Sequence, residues 1–139
     1  MIDLSSGRVA CGSLVLEPNV RSEQLLTLPG VRTAPSVAGR TNLALGTHYC
    51  GGQAWGVGAM FAGEQLDMLL LQMLREDESD WSLPQEEQRQ RVHDQFLRDL
   101  CGDVSRPVRG SRYNFPWGWL ESTLDLRGVQ AVIVVSYEA

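Results

Sequence analysis

His48 and Cys50 stand two positions apart, so on an extended strand both side chains leave the same face. With His93 and Cys101 they would complete a Cys2His2 donor set for zinc. The spacing matches no local zinc pattern, and cysteine is among the most buried residue types for reasons of packing alone, so no metal site is assigned. Cys50 activated by His48 would be a nucleophile for a small hydrolase or transferase, which is kept as the alternative reading. Asp125 or Glu121 with Asp67 would supply an acid–base pair, but aspartates in hairpins more often serve the turn. The glycines of CGGQAWGVG lack the G-x-G-x-x-G order and the strand–turn–helix context of a dinucleotide fingerprint. All twelve cations are arginine, which excludes a lysine Schiff base and a Walker-type phosphate loop. The chain therefore reads as a non-enzyme with no cofactor.

The frame that holds these residues is one domain over 1–139, with 139 residues and 43% hydrophobic content. A chain of that size buries roughly two-thirds of the surface exposed by its unfolded form. A net charge of −5 and a pI near 4.9 argue against binding nucleic acid or anionic lipid and favour a basic protein partner. No run approaches the ~18 apolar residues of a membrane span. Val9-Ala10-Cys11 lacks the basic start and apolar core of an exported lipoprotein. Three widely spaced cysteines do not form a disulfide framework, so a reducing cytoplasm is expected.

Residues 13–17 predict a short strand, and Asn19 or Ser22 caps a brief helix over 23–28 that stops at Pro29-Gly30. Residues 31–40 read as a loop or irregular edge strand. Strands follow over 41–50, 53–61 and 65–74, joined by Gly51-Gly52 and Ala62-Gly63-Glu64 as antiparallel hairpins. On the middle strand Trp55, Val57, Ala59 and Phe61 share one face. Gly56 and Gly58 share the other, leaving room for a helix to pack there.

Residues 82–101 give the clearest helix signal: Ser82 and Gln85 in capping-box spacing, Pro84 in the first turn, and Gly102 as a stop. Val92, Phe96, Leu97 and Leu100 form its expected buried stripe, with Glu86, Glu87, Gln90, Asp94 and Arg98 facing water. A basic loop over 103–112 leads to Phe115-Pro116-Trp117, stiffened by proline. A hairpin then pairs 118–124 with 129–137 through a turn at 125–128, and the unbroken apolar run 131–135 makes the last strand interior. The expected fold is α+β: a single antiparallel sheet of about five or six strands, with the main helix 82–101 and a short N-terminal helix packed on it.

Among four tryptophans, Trp81 is placed as a hydrophobic staple before the helix, while Trp55 and Trp119 are candidate interface anchors. Glu76, Asp77, Glu78 and Asp80, with Glu64, Asp67, Glu86 and Glu87, would form one acidic end able to speed association with a basic protein.

The acidic, Trp-containing linker EDESDWS, the helix EEQRQRVHDQFLRDLCG and a C-terminal block carry a resemblance over residues 64–137. That block comprises Tyr113, Phe115, Pro116, Trp117 and Gly118, then Asp125, Arg127, Gly128 and Ile133 to Tyr137. It resembles a family of small bacterial proteins that look like immunity proteins encoded beside toxins of polymorphic or type VI secretion systems. The acidic residue common after Pro-Trp-Gly in that family is Trp119 here, displaced to Glu121. The resemblance implies a cytoplasmic protein that neutralises a cognate toxin by occluding its active site, and the acidic run and tryptophans supply the expected contact residues Glu76, Asp77, Glu78, Asp80, Trp55 and Trp119. A secretion-system adaptor or chaperone for an effector is the other binding role.

Overall fold

The computed structural model describes residues 1–34, 37–77, 80–102, 111–125 and 129–138. In chain order they form β1 (Val9–Cys11), β2 (Leu14–Leu16), α1 (Ser22–Leu26), β3 (Arg32–Ala34), β4 (Arg40–Cys50), β5 (Gln53–Ala62) and β6 (Gln65–Leu74). These are followed by α2 (Leu83–Cys101), β7 (Ser111–Phe115), β8 (Gly118–Asp125) and β9 (Gln130–Ser136). The expected single sheet of five or six strands is overturned. A seven-stranded antiparallel sheet runs β3-β4-β5-β6-β9-β8-β7, and β1 and β2 pair in a separate two-stranded sheet. The difference lies in short strands. The predicted 13–17 strand belongs to the small sheet, β3 extends an edge, and β7 occupies residues 111–115, partly within what reads as loop. Strands of three to five residues carry little alternation, so β1 and β7 leave no clear signal of their own.

Gly51 and Gly52, at φ 58° and 82°, form the two-residue turn between β4 and β5, because both central residues of a type I′ turn need positive φ. Ser82 caps α2 by accepting from the Gln85 N–H at 3.3 Å, and Gly102 ends it at φ 70°. Alternation then divides the large sheet into two faces. Leu43, Trp55, Ala59, Phe61, Leu69, Leu71, Leu120, Ile133 and Val135 share one core with Leu97 of α2, Leu25 of α1 and Val9, Leu14 and Leu16 of the small sheet. The opposite face carries Ala44, Gly58, Met60, Met68, Leu70 and Val134, and among the described residues no helix or sheet lies on it. The glycine face of β5 is thus the uncovered one, contrary to the expectation that a helix packs against Gly56 and Gly58. Alternation separates faces without saying which of them is covered.

The stripe that α2 buries also differs from expectation. Glu86, Arg89, His93 and Leu97 point inward, while Val92, Phe96 and Leu100 are only partly covered. The reason lies where β6 and β9 part. They pair over Leu71↔Ile133 to Met68↔Ser136, and beyond Leu71 the ladder stops. Side chains take over from there. Arg89 Nε donates to the Met73 carbonyl (2.9 Å), the Met73 N–H donates to His93 Nε2 (3.0 Å), and the Ala131 N–H donates to Glu86 Oε1 (3.1 Å). From the other face, Gln72 Nε2 donates to the Ala131 carbonyl at 3.1 Å. Buried backbone groups require partners, so polar residues occupy the inner face of the helix.

Candidate functional site

The zinc set and the acid–base pair suggested by residue types do not assemble. His48 Nε2 donates to the Leu45 carbonyl at 2.7 Å, across the bulge between Ala44 and Gly46 in β4, while His93 Nε2 accepts from Met73. Burial, then the neighbouring Arg89, pushes the His93 imidazole down to about 4, so it is neutral at physiological pH. Cys101 ends α2, and its thiol is pushed up to about 11 by burial. Among the described residues, no group of three or more His, Cys, Asp or Glu side chains could hold a metal ion. The acid–base candidates are engaged separately. Arg112 Nε and Nη2 donate to Glu121 Oε2 (3.0 and 2.8 Å) and Arg40 Nη1 to Asp67 Oδ2 (3.0 Å). Asp67 opens β6, whereas Asp125 pairs with Gln130 at the sheet end where β6 finishes.

The acidic residues fall into three places. Glu64 and Asp67 lie at the start of β6, while Glu76, Asp77 and Asp80 follow its end, roughly 30 Å away for ten extended residues. Glu86 is buried, with Arg89 Nη1 at 2.7 and 2.6 Å from its two oxygens. The single acidic end is therefore corrected: exposed Glu76, Asp77 and Asp80 follow β6, and exposed Glu87 lies in α2. Asp77 already accepts from Arg75 at 3.2 and 3.1 Å. Glu78 lies outside the described residues.

The tryptophans divide likewise. Trp55 is only 2% exposed, stacked against His93 and edge-on to Phe96 beneath α2. It is corrected from interface anchor to core residue. Trp81 is 56% exposed and donates to the Val129 carbonyl at 2.9 Å, tying the start of α2 to the start of β9 instead of stapling the helix. Trp117 stacks on Phe115 (5.2 Å between centroids), packs near Tyr137 and donates to the Leu4 carbonyl at 2.7 Å. Tyr137 Oη donates to the Gly7 carbonyl at 2.8 Å. The Phe-Pro-Trp-Gly block is thus a clamp on the N-terminal loop. Gly7 lies flat under the Trp117 ring, where a Cβ would come within 2.6 Å of it.

Trp119 is the tryptophan that reaches the open face. Leu120 is fully buried on the covered side, so Trp119 and Glu121 project to the other, and Arg112 lies over the Trp119 ring at 3.9 Å while bonding Glu121. From this rim the face runs inward to Val134, Leu70 and Met68, then to Gly58, Met60 and Ala44. Across it lies a groove of about 840 Å³ with a predominantly apolar floor. Sequence reasoning missed this surface, because alternation groups Met60 with Gly58 on one face without showing that the face is left uncovered. Compared with known proteins, the chain matches no family model, and no curated protein or solved structure matches it significantly.

Proposed function

We propose that the chain is an immunity protein: it binds a cognate toxin domain in the cytoplasm and occludes the toxin's active site, using the open face of the large sheet as the docking surface. One observation carries this reading. An apolar strip at the centre of a seven-stranded sheet is left without a covering element among the described residues, with Trp119, Arg112 and Glu121 at its rim. Seven strands about 4.8 Å apart and some six residues long present on the order of 600 Å², close to the ~800 Å² per partner of a standard interface. An apolar centre with an aromatic and arginine rim is the usual anatomy of such a surface. The exposed acidic residues Glu76, Asp77, Asp80 and Glu87 and the net charge of −5 support a basic partner, whose encounter they would speed. The likeness of the Tyr113 to Tyr137 block to immunity proteins agrees with a binding role.

The test is co-expression with the product of the adjacent reading frame. Rescue of growth and a stable complex, both lost in Met60→Glu and Leu70→Arg variants that still fold, are expected. A complex unaffected by both variants would move the contact elsewhere. A complex in which the effector keeps its activity would make the chain an adaptor. The groove volume supports a second reading, an apolar small ligand, since such sites span about 300–1,000 Å³. Co-purification of an extractable apolar molecule from the unmutated chain would favour it.

A further inference from the structure

Two of the three cysteines, 39 positions apart in the chain, meet in the fold. Cys11 ends β1 and is 1% exposed; Cys50 ends β4 and is half-buried. Cys11 belongs to the apolar core cluster, Cys50 packs against it, and Cys50 is among the groups that hold the Cys11 thiol protonated. The backbones converge at the same point. A Cβ on Gly12 would stand 3.2 Å from the Tyr49 carbonyl oxygen, so the residues beside the two cysteines are themselves in contact.

We propose that Cys11 and Cys50 form a reversible disulfide that staples the small N-terminal sheet to the end of β4. The oxidant is a low-molecular-weight disulfide such as oxidised glutathione. Cys50, the more accessible sulfur, attacks it as the thiolate, breaking its S–S bond and releasing one small thiol. Cys11 then loses its proton to solvent, and its sulfur displaces the second small thiol from Cys50. Two protein thiols have together lost two electrons and two protons, and the small disulfide has been reduced to two thiols. Burial, then Cys50, holds the Cys11 thiol up to about 11, which makes Cys11 the slow, resolving partner and keeps the reduced pair stable until an oxidant arrives. The bridge is independent of the docking reading, since it joins elements of the covered side.

The full-length chain is incubated with oxidised glutathione, and its thiols are counted by maleimide labelling after denaturation. The expected result is a fall from three free thiols to one, a mass loss of two hydrogens and a cross-linked Cys11–Cys50 peptide. A thermal midpoint roughly 5 °C or more above the reduced chain, reversed by dithiothreitol, should accompany it. Cys50→Ser should abolish the change and Cys101→Ser should leave it intact. Because Cys11→Ser alters a buried position, Cys50→Ser carries the test. Three thiols remaining, a stable glutathione adduct on Cys50 with Cys11 free, or a bridge that includes Cys101 would each overturn the proposal.

Discussion

Leu70 and Leu71 are adjacent on β6 yet live in different environments: Leu71 is fully buried beneath α2, and Leu70 lies half-covered on the floor of the open groove. The same contrast separates the two faces of β5 and β6, whereas β9 is buried on both. The covered face combines apolar residues with a buried polar set, Glu86, Arg89 and His93, that completes the hydrogen bonding of β6 and β9. The open face is simpler, with glycines, methionines and valines and a rim of Trp119, Arg112 and Glu121. One face is therefore built for stability, with buried polar side chains that bond the backbone of the parted strands. The other keeps apolar area available, and methionine suits such a surface because its flexible side chain repacks against a partner.

The comparison is broken most severely at Glu86. Glu86→Ala removes the acceptor of the Ala131 N–H and leaves the Arg89 guanidinium buried without its carboxylate, so a loss of about 3–5 kcal/mol is expected in urea denaturation. The double variant Glu86→Leu with Arg89→Met separates two explanations. A simple buried ion pair replaced by apolar residues would cost little. Here the Ala131 N–H and the Met73 carbonyl would still lack partners, so a loss of about 2–4 kcal/mol should persist. Full recovery of stability would show that the strand-completing bonds carry no weight.

Leu71→Ala comes next, with an expected loss of about 3 kcal/mol, because a fully buried leucine leaves a cavity as well as losing its transfer energy. A loss below about 1 kcal/mol would mean that the covered face tolerates voids like a surface and would erase the contrast.

His93 sets a pH dependence on the covered side alone. Its folded pKa of about 4 lies below the ordinary 6.5. As pH falls, the unfolded chain therefore takes up a proton first, and stability drops between pH 6.5 and 4. The loss is about 2 kcal/mol by pH 5. His93→Gln, which keeps an acceptor for the Met73 N–H, should flatten that part of the curve relative to the wild type. Parallel curves for the two proteins would remove His93 as the cause.

The extent to which this arrangement is legible in the sequence follows from the signals each part leaves. Strands β4 to β6, the β8–β9 hairpin and α2 announce themselves through alternation, glycine turns and the Ser82 cap, because their physics is local. The three-residue β1 and the five-residue β7 do not, since their existence depends on the neighbours they pair with, and the edge strand β3 is legible only as one of two readings of 31–40, the other being a loop. Trp55 illustrates the harder limit. Its alternation with Val57, Ala59 and Phe61 is correct, but nothing local says that α2 covers that side. Glu86 reads as solvated because polarity is the usual mark of exposure, His93 reads as a candidate zinc donor and nothing local singles out Arg89; the parting of β6 from β9 that makes all three necessary is a tertiary event. The nearness of Cys11 and Cys50 is likewise a product of topology.

The smallest expected change in stability belongs to Leu70→Asn, and it is the one that most sharpens the contrast. Its side chain sits over the half-exposed floor between Gly58 and Val134, so little transfer energy is lost and no sealed cavity forms. A cost within about 1 kcal/mol is expected by denaturant titration. If the open face serves as the docking surface, the same substitution places a polar amide at the centre of the contact, where a desolvated group without a partner costs about 1–3 kcal/mol. Affinity for the toxin domain measured by calorimetry should then fall at least fivefold while the melting midpoint scarcely moves. Equal losses in both would indicate that Leu70 belongs to the core and that the two faces of the sheet differ less than their residues suggest.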